Sequence, residues 1–256
     1  MCFRYACRFK FRRGADAIWP QTWVYPSLPA GVSELLPSKS GLLDKMVASQ
    51  FRYTRFRDHW VYIITSPCSS GGLPDVRGLS VAVAAKVFNP EKYEALLGQI
   101  STLYAASGST ANVLQAYLTV LTKESFTFPN GTAFDLAKYD DRRAMLQGPL
   151  KEVISTFGLE SILLVTAVLL KKRVMMYSAR QDTILKFVRV MPMFAAHRQN
   201  WSILRPDVSF TEVEVAELNA AAVYVAGTTD VSARSHEELF DLFVDSAPLF
   251  FAFFLC

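Results

Sequence analysis

The side chains able to do chemistry are scattered along this sequence. Three histidines, His59, His197 and His236, stand alone. His197 opens the run His197-Arg198-Gln199-Asn200-Trp201, where an imidazole base beside a guanidinium could serve an enzyme acting on a small molecule. The preferred reading of that run is a polar surface turn ahead of a strand. Asp140-Asp141 lies beside Arg142-Arg143. Adjacent carboxylates point in different directions on a helix, so a charge cluster at a helix start fits better than a two-carboxylate site. Glu212 with Glu214, and Glu237-Glu238, read as solvated faces. The cysteines, Cys2, Cys7, Cys68 and Cys256, show no Cys-x-x-Cys spacing and no histidine close in sequence. They offer no recognisable zinc set and read as thiols of a reducing cytosol. The glycine-rich phosphate and dinucleotide loops, the Gly-x-Ser-x-Gly elbow and His-Glu-x-x-His are all missing from the sequence. No catalytic, cofactor-binding or metal-ligating residue is therefore assigned, and no cofactor is expected.

Composition bounds what must position any such groups. In 256 residues the hydrophobic fraction is 51% and the charged fraction 20%, which supplies a substantial core and excludes disorder, collagen and a disulfide-stapled miniprotein. The net charge of +4 would suit nucleic acid, but Met1–Arg13 holds five of the 27 bases and no acid, leaving 22 bases against 23 acids in the rest. Phe3, Tyr5, Cys7, Phe9 and Phe11 alternate with Arg4, Ala6, Arg8, Lys10 and Arg12. Period two predicts a half-buried edge strand, not an amphipathic targeting helix. One basic strand makes a poor nucleic-acid groove, so no nucleic-acid partner is expected. The longest internal apolar run, Leu159–Leu170, contains Glu160 and is too short for a bilayer; it ends in Lys171-Lys172-Arg173 and reads as a mostly buried helix reaching the surface. Ala247–Cys256 is about half a span and reads as a core helix cut short, so no transmembrane span is expected. Asn130-Gly131-Thr132 fits a glycosylation sequon, but Asn-Gly is a turn dipeptide and the turn is preferred.

Strands are predicted at Thr22–Tyr25, His59–Thr65 and Leu79–Val87. Asn89 as cap, Pro90 in the first turn and Glu91 at the positive end of the dipole predict a helix burying Tyr93, Leu96, Leu97, Ile100, Leu103 and Tyr104, ended by Ser107-Gly108. A second helix over Thr110–Thr122 should bury Val113, Leu114, Tyr117, Leu118 and Leu121. Further on come helices at Pro149–Phe157, Leu159–Lys172, Thr183–Val190, Glu212–Ala222 and Glu237–Val244, with strands at Val174–Tyr177, Trp201–Leu204 and Val223–Ala226. Alternation of helix and strand with short connections implies mostly parallel pairing. The expected organisation is a first lobe over 1–125, a linker over 126–140, an α/β lobe over 141–245, and an apolar tail over 246–256.

Five stretches in order and spacing carry a resemblance: Val87-Phe88-Asn89-Pro90-Glu91-Lys92-Tyr93, Val120-Leu121-Thr122-Lys123, Leu169-Leu170-Lys171-Lys172-Arg173-Val174, His197-Arg198-Gln199-Asn200-Trp201-Ser202-Ile203-Leu204 and Tyr224-Val225-Ala226-Gly227. Together they resemble the DENN family over roughly Trp23 to Asp245. The resemblance implies an α/β fold with a longin-like N-terminal lobe, a sheet plus a helical pair, followed by a central α/β DENN lobe. It also implies a guanine-nucleotide exchange factor that binds a Rab small GTPase in a groove between lobes and promotes GDP release. The branch looks linked to late endosomes, giving a cytoplasmic protein peripheral to that membrane through its partners. The alternative is a non-exchanging adaptor among the subunits of an endosomal retrieval complex. Ala220–Ala222 stands where the wider family carries prolines, and Met1–Arg13 departs from the family's usual opening. The likeness ends after Asp245, before the family's helical third module, so an apolar face is expected to be uncovered, with Leu249–Leu255 as a crude substitute. No family motif fixes GTPase-contact residues on this sequence, and none is assigned.

Overall fold

The two central strands of the first sheet are buried along almost their whole length. β4 (His59–Pro67) is buried from His59 to Thr65, and β5 (Gly78–Ala85) at every residue. A strand covered on both faces needs a continuous apolar run, which HWVYIIT and LSVAVAA supply. These features belong to a computed structural model in which Arg4–Cys7, Trp23–Tyr25, 48–68, 78–246 and Phe253–Leu255 are described. By its internal contacts the chain divides into two compact units, one of Met1–Arg52 with His59–Met145, the other of Tyr53–Asp58 with Leu146–Cys256.

The first sheet also holds β1 (Arg4–Cys7), β2 (Trp23–Tyr25) and β3 (Gln50–Phe56), in the order β2-β1-β5-β4-β3. β1 is antiparallel to both β2 and β5, with Tyr5 opposite Tyr25 on one side and Val83 on the other. The basic strand is therefore interior, not the expected edge, because β2 pairs along its other side. The rest of Met1–Arg13 lies outside the described residues. β3 has no counterpart among the predicted strands: in QFRYTRF the aromatics break period two at Phe56.

α1 (Pro90–Ser107) begins where its cap predicts. The Lys92 N–H donates to Asn89 Oδ1 at 3.1 Å, and Gly108 ends the helix in the left-handed region with its N–H on Tyr104 O at 2.8 Å. All six expected core residues are buried against β4 and β5. The Tyr62 ring stacks on Tyr93 with centroids 4.2 Å apart, and the Tyr62 hydroxyl accepts from the Asn89 N–H and donates to Val87 O, both at 2.9 Å. α2 (Thr110–Lys123) packs on α1 through Val113, Ala116, Tyr117 and Val120. Leu118 is exposed and Leu114 and Leu121 are half-buried, so the buried stripe is turned away from the bulkier leucines. The 126–140 segment is no bare linker: β6 (Ser125–Thr127) and β7 (Ala133–Asp135) form a hairpin, and Phe128 and Phe134 are buried. Its turn is Asn130-Gly131, with Gly131 at φ 80° and the Thr132 N–H on Asn130 Oδ1 at 3.0 Å.

The second unit contains α4 (Leu150–Phe157), α5 (Ser161–Leu169), β8 (Val174–Tyr177), α6 (Gln181–Val190), β9 (Leu204–Arg205), α7 (Glu212–Ala220), β10 (Val225–Thr228), β11 (Leu242–Asp245) and β12 (Phe253–Leu255). A short α3 (Asp141–Leu146) runs across the boundary. The sheet order is β12-β11-β8-β10-β9, with β8 parallel to β10 and β11, and β9 parallel to β10, as the alternating pattern requires. β12 is antiparallel to β11, with Phe243 opposite Phe254. The final three apolar residues before Cys256 thus form a strand where a helix was expected; the rest of the tail lies outside the described residues. Glu237–Val244 is not a helix either. A 3₁₀ turn at Glu237–Leu239 leads into β11, whose run Leu242-Phe243-Val244 is nearly fully buried beside β8.

α5 departs most from expectation. Leu164, Ala167 and Val168 are buried, but Leu159, Ile162, Leu163, Leu169 and Leu170 are exposed. Asp141–Leu169 is long and apolar enough to cross a bilayer, with 28% of its most apolar window buried. The stretch is not one straight helix: Gln147-Gly148-Pro149 separates α3 from α4, and a 3₁₀ turn at Gly158–Glu160 separates α4 from α5.

Candidate functional site

In an open parallel sheet the loops that follow the strands' carboxyl ends gather at one edge, and ligands and partners are met there. In the second unit these loops are tied to one another by hydrogen bonds between distant segments. Ser178 N–H, after β8, donates to Thr228 O at 3.2 Å, and the Arg180 N–H donates to Ser178 Oγ at 3.3 Å. Thr228, at the end of β10, donates through its hydroxyl to Val208 O at 2.8 Å and accepts from the Asp230 N–H at 3.0 Å. Ser246, after β11, returns both its N–H (3.0 Å) and its hydroxyl (2.8 Å) to Tyr177 O. Asp245, almost fully buried, pairs with Arg234.

Gly227 makes this edge possible. A Cβ there would come within 2.7 Å of Val188, 2.8 Å of Ile184 and 2.8 Å of the Pro206 carbonyl, so only glycine lets α6 and the loop after β9 approach β10 this closely.

Charge is concentrated beside the loop after β9, still within the second unit. Arg55 donates through Nε to Arg57 O at 3.0 Å, and Arg57 lies 3.8 Å from Glu217 on α7. Arg205 donates through Nη1 to Ser202 O at 2.8 Å and Leu204 O at 2.9 Å. Burial, and then mutual repulsion with Arg55, pull the Arg205 guanidinium below the usual arginine value, against the pull of Glu217. Burial does the same to Arg55, opposed by Asp58 and Glu217. Thr54 Oγ1 donates to the carbonyl of the buried Asp207 at 3.1 Å. The exposed pair Arg180–Asp182 closes at 2.6 Å, and the hydrogen bond from Arg180 holds the Asp182 carboxyl below its ordinary range. Gln181, at the start of α6, keeps both amide atoms buried with no hydrogen-bond partner among the described residues. Such an edge, rich in arginine and with its loops internally fixed, is suited to contact with another macromolecule.

The residues singled out in the sequence are elsewhere. His197 is exposed at the end of the 3₁₀ segment Met191–Arg198. Arg198 is spent on structure: its Nη1 and Nη2 donate to Val168 O (3.0 Å) and Leu169 O (2.8 Å), carbonyls of the last turn of α5. The pair forms no base with a guanidinium partner. Asp141 accepts from Asn89 Nδ2 at 2.9 Å and from the buried Lys92 Nζ at 3.2 Å, and Asp140 caps the Arg142 N–H at 2.8 Å, the helix-start cluster expected. Glu237 and Glu238 are solvated. Glu214 is not: it is 7% exposed and accepts from Ser209 N, Thr211 N and Thr211 Oγ1 in a capping box. The pattern Thr211-x-x-Glu214 is the signal that gives this away. His236 stacks on Phe210 with rings 5.0 Å apart and lies 3.1 Å from Glu238 Oε1. Cys68 is buried. Among the described residues no three His, Cys, Asp or Glu side chains converge as a metal ion requires. Arg55 has no signal in the sequence that joins it to Arg205 and Glu217, because it precedes Arg205 by about 150 residues.

The second unit's residues 147–247 match the family model described as "Stabilization of polarity axis". Over 233 residues the chain is 39% identical to DENN domain-containing protein 10 of Danio rerio, covering 90% of this chain and 66% of that one. It is 32% identical over 240 residues to the Dictyostelium discoideum protein of the same name, covering 88% and 66%. The Homo sapiens protein of that name is 34% identical over 234 residues, covering 91% and 65%. The chain belongs to the family of these DENN domain-containing proteins. It spans just under two thirds of the length of the relatives it matches.

Proposed function

We propose that this chain acts as a guanine-nucleotide exchange factor, promoting GDP release from a Rab small GTPase in late endosomal trafficking. Its family membership carries the reading, since DENN proteins are generally Rab exchange factors. The arginine-rich edge of the second unit supports it, because a macromolecular partner needs a shaped, charged contact surface. Exchange makes and breaks no covalent bond. The factor binds the nucleotide-free GTPase more tightly than the GDP-bound form, and that difference in affinity alone drives release. Acting in this way, the protein works by binding and not as an enzyme with its own reaction centre. It is placed in the cytoplasm and reaches late endosomal membranes through its partners.

Release of a fluorescent GDP from a panel of Rab proteins tests the reading. At least one Rab should release it tenfold or more above the intrinsic rate, a barrier reduction of about 1.4 kcal/mol. Release at the intrinsic rate across the whole panel overturns exchange. Recovery of endosomal scaffold subunits, with no preference for nucleotide-free GTPases, would then favour the adaptor.

A further inference from the structure

We infer that Asn130 is a covalent modification site: the Asn130-Gly131 turn deamidates through a cyclic imide, and Gln99 on α1 sets the rate. Of the asparagines Asn89, Asn112, Asn130, Asn200 and Asn219, only Asn130 precedes a glycine. An asparagine amide is thermolabile because the main-chain nitrogen of the next residue can attack its side-chain carbon. Pro90 after Asn89 has no N–H to give up, and the Cβ groups of Val113, Trp201 and Ala220 crowd the nitrogens that follow the other three. Asn130 and Gly131 are exposed at the tip of the β6–β7 hairpin, and nothing stands within 4 Å of where a Cβ on Gly131 would be. Solvent and the attacking nitrogen both have access.

Three hydrogen bonds hold the reacting atoms. The Thr132 N–H donates to Asn130 Oδ1 at 3.0 Å. That oxygen gains negative charge as the side-chain carbon is attacked, so this contact favours reaction as an oxyanion donor does. The other two oppose it. The Gly131 N–H, whose proton must be lost, donates to Phe128 O at 2.9 Å. Asn130 Nδ2, the nitrogen that must leave, donates to Gln99 Oε1 at 3.0 Å. An amide nitrogen leaves only after it turns pyramidal and gains a proton, and a planar donor on Gln99 is held back from both. The Phe128 carbonyl belongs to the turn itself, whereas Gln99 comes from another element, 31 residues away. Gln99 is a brake that only tertiary folding supplies.

The atoms balance without an oxidant or reductant. The Gly131 nitrogen loses its proton and bonds to Asn130 Cγ. The Cγ–Nδ2 bond breaks, and Nδ2 departs as ammonia with that proton. One water then opens the ring at either carbonyl, leaving aspartate or, with the main chain running through Cγ, isoaspartate. Each product replaces a neutral amide by a carboxylate, which cannot donate to Gln99 Oε1, so the tie between hairpin and α1 is lost with the modification.

The whole purified chain is incubated in mildly alkaline buffer, and its peptides are mapped by mass and assayed for isoaspartate. The mass gain of amide-to-acid conversion, with isoaspartate, should appear at Asn130 before any other asparagine. Gln99→Leu should speed it about fivefold, the size of one ordinary hydrogen bond, with the far-ultraviolet dichroism unchanged. Gln99→Glu, whose carboxylate still accepts from Nδ2, should bring back the slow rate. In guanidinium, where α1 and the hairpin are apart, all three chains should react alike. No gain at Asn130, or an earlier one at another asparagine, overturns the site. Equal folded rates with Gln99 and with Gln99→Leu overturn the brake, as does a difference that persists in guanidinium.

Discussion

α1 and α5 are both rich in leucine, and they treat water in opposite ways. α1 concentrates its apolar side chains on one stripe, from Tyr93 to Tyr104, and the whole stripe is buried. α5 carries apolar residues on all sides and buries only Leu164, Ala167 and Val168 of its outer and inner faces combined. The ends differ too. α1 is stopped by the side chain of Asn89 and by Gly108, which are local and visible in the sequence. The end of α5 is held by Arg198, from 30 residues further on. A helix with polar residues on one side declares where its core lies, whereas a helix without them leaves that to whatever packs on it.

Truncation should separate the two helices most sharply. Leu97→Ala, at a fully buried position of α1, should cost about 2–5 kcal/mol. Leu159→Ala, at the most exposed position of the α5 face, should stay within about 0.5 kcal/mol in denaturant titration of the single chain. Equal losses would mean that α5 is covered after all. Gly227→Ala comes next. The added methyl has no room between α6 and the Pro206 carbonyl, so a loss of roughly 1–3 kcal/mol is expected in the unfolding transition of the second unit.

Asn89→Ala should cost about 1 kcal/mol by removing the α1 cap, and it also takes a donor from Asp141. The counterpart in the second unit is a pH effect. Burial pushes the Asp241 carboxyl up, but the Arg173 N–H (2.8 Å) and guanidinium (3.1 Å) outweigh it, and the group ends below its ordinary value. A carboxyl depressed on folding stabilises above its unfolded pKa and loses that contribution as pH falls through its folded value. Thermal stability should therefore decline as pH drops below about 4, and the decline should be shallower in Asp241→Asn. The smallest effect has the opposite sign. A Cβ at Gly98 on α1 would meet only Ile64 at 4.0 Å, so Gly98→Ala should raise stability by roughly 0.5–1 kcal/mol, in contrast to Gly227.

Several elements were legible because their signals are local. Asn89-Pro90-Glu91 and Gly108 bounded α1, and the short apolar run Val174–Tyr177, set between the basic Lys171–Arg173 and Ser178, bounded β8. Short apolar runs mislead where helix and strand share a composition: Leu242–Val244 fits the end of a helix over Glu237–Val244 and belongs to an interior strand. The charged edge was illegible for another reason. Arg55, Arg205 and Glu217 meet only through tertiary folding, and Glu214 looked solvent-facing until Thr211 enclosed it.

The sequence by itself determined the α/β alternation, the parallel pairing of the second sheet, the capped helix of the first unit and the family. These follow from propensities, caps and periodicities that act within a few residues. Only the tertiary structure decided that the basic first strand is interior, that His197 and Arg198 form no reacting pair, and that α5 keeps one apolar side in water. Each of those depends on which distant segment arrives beside a residue, and no periodicity within the residue's own element records that arrival.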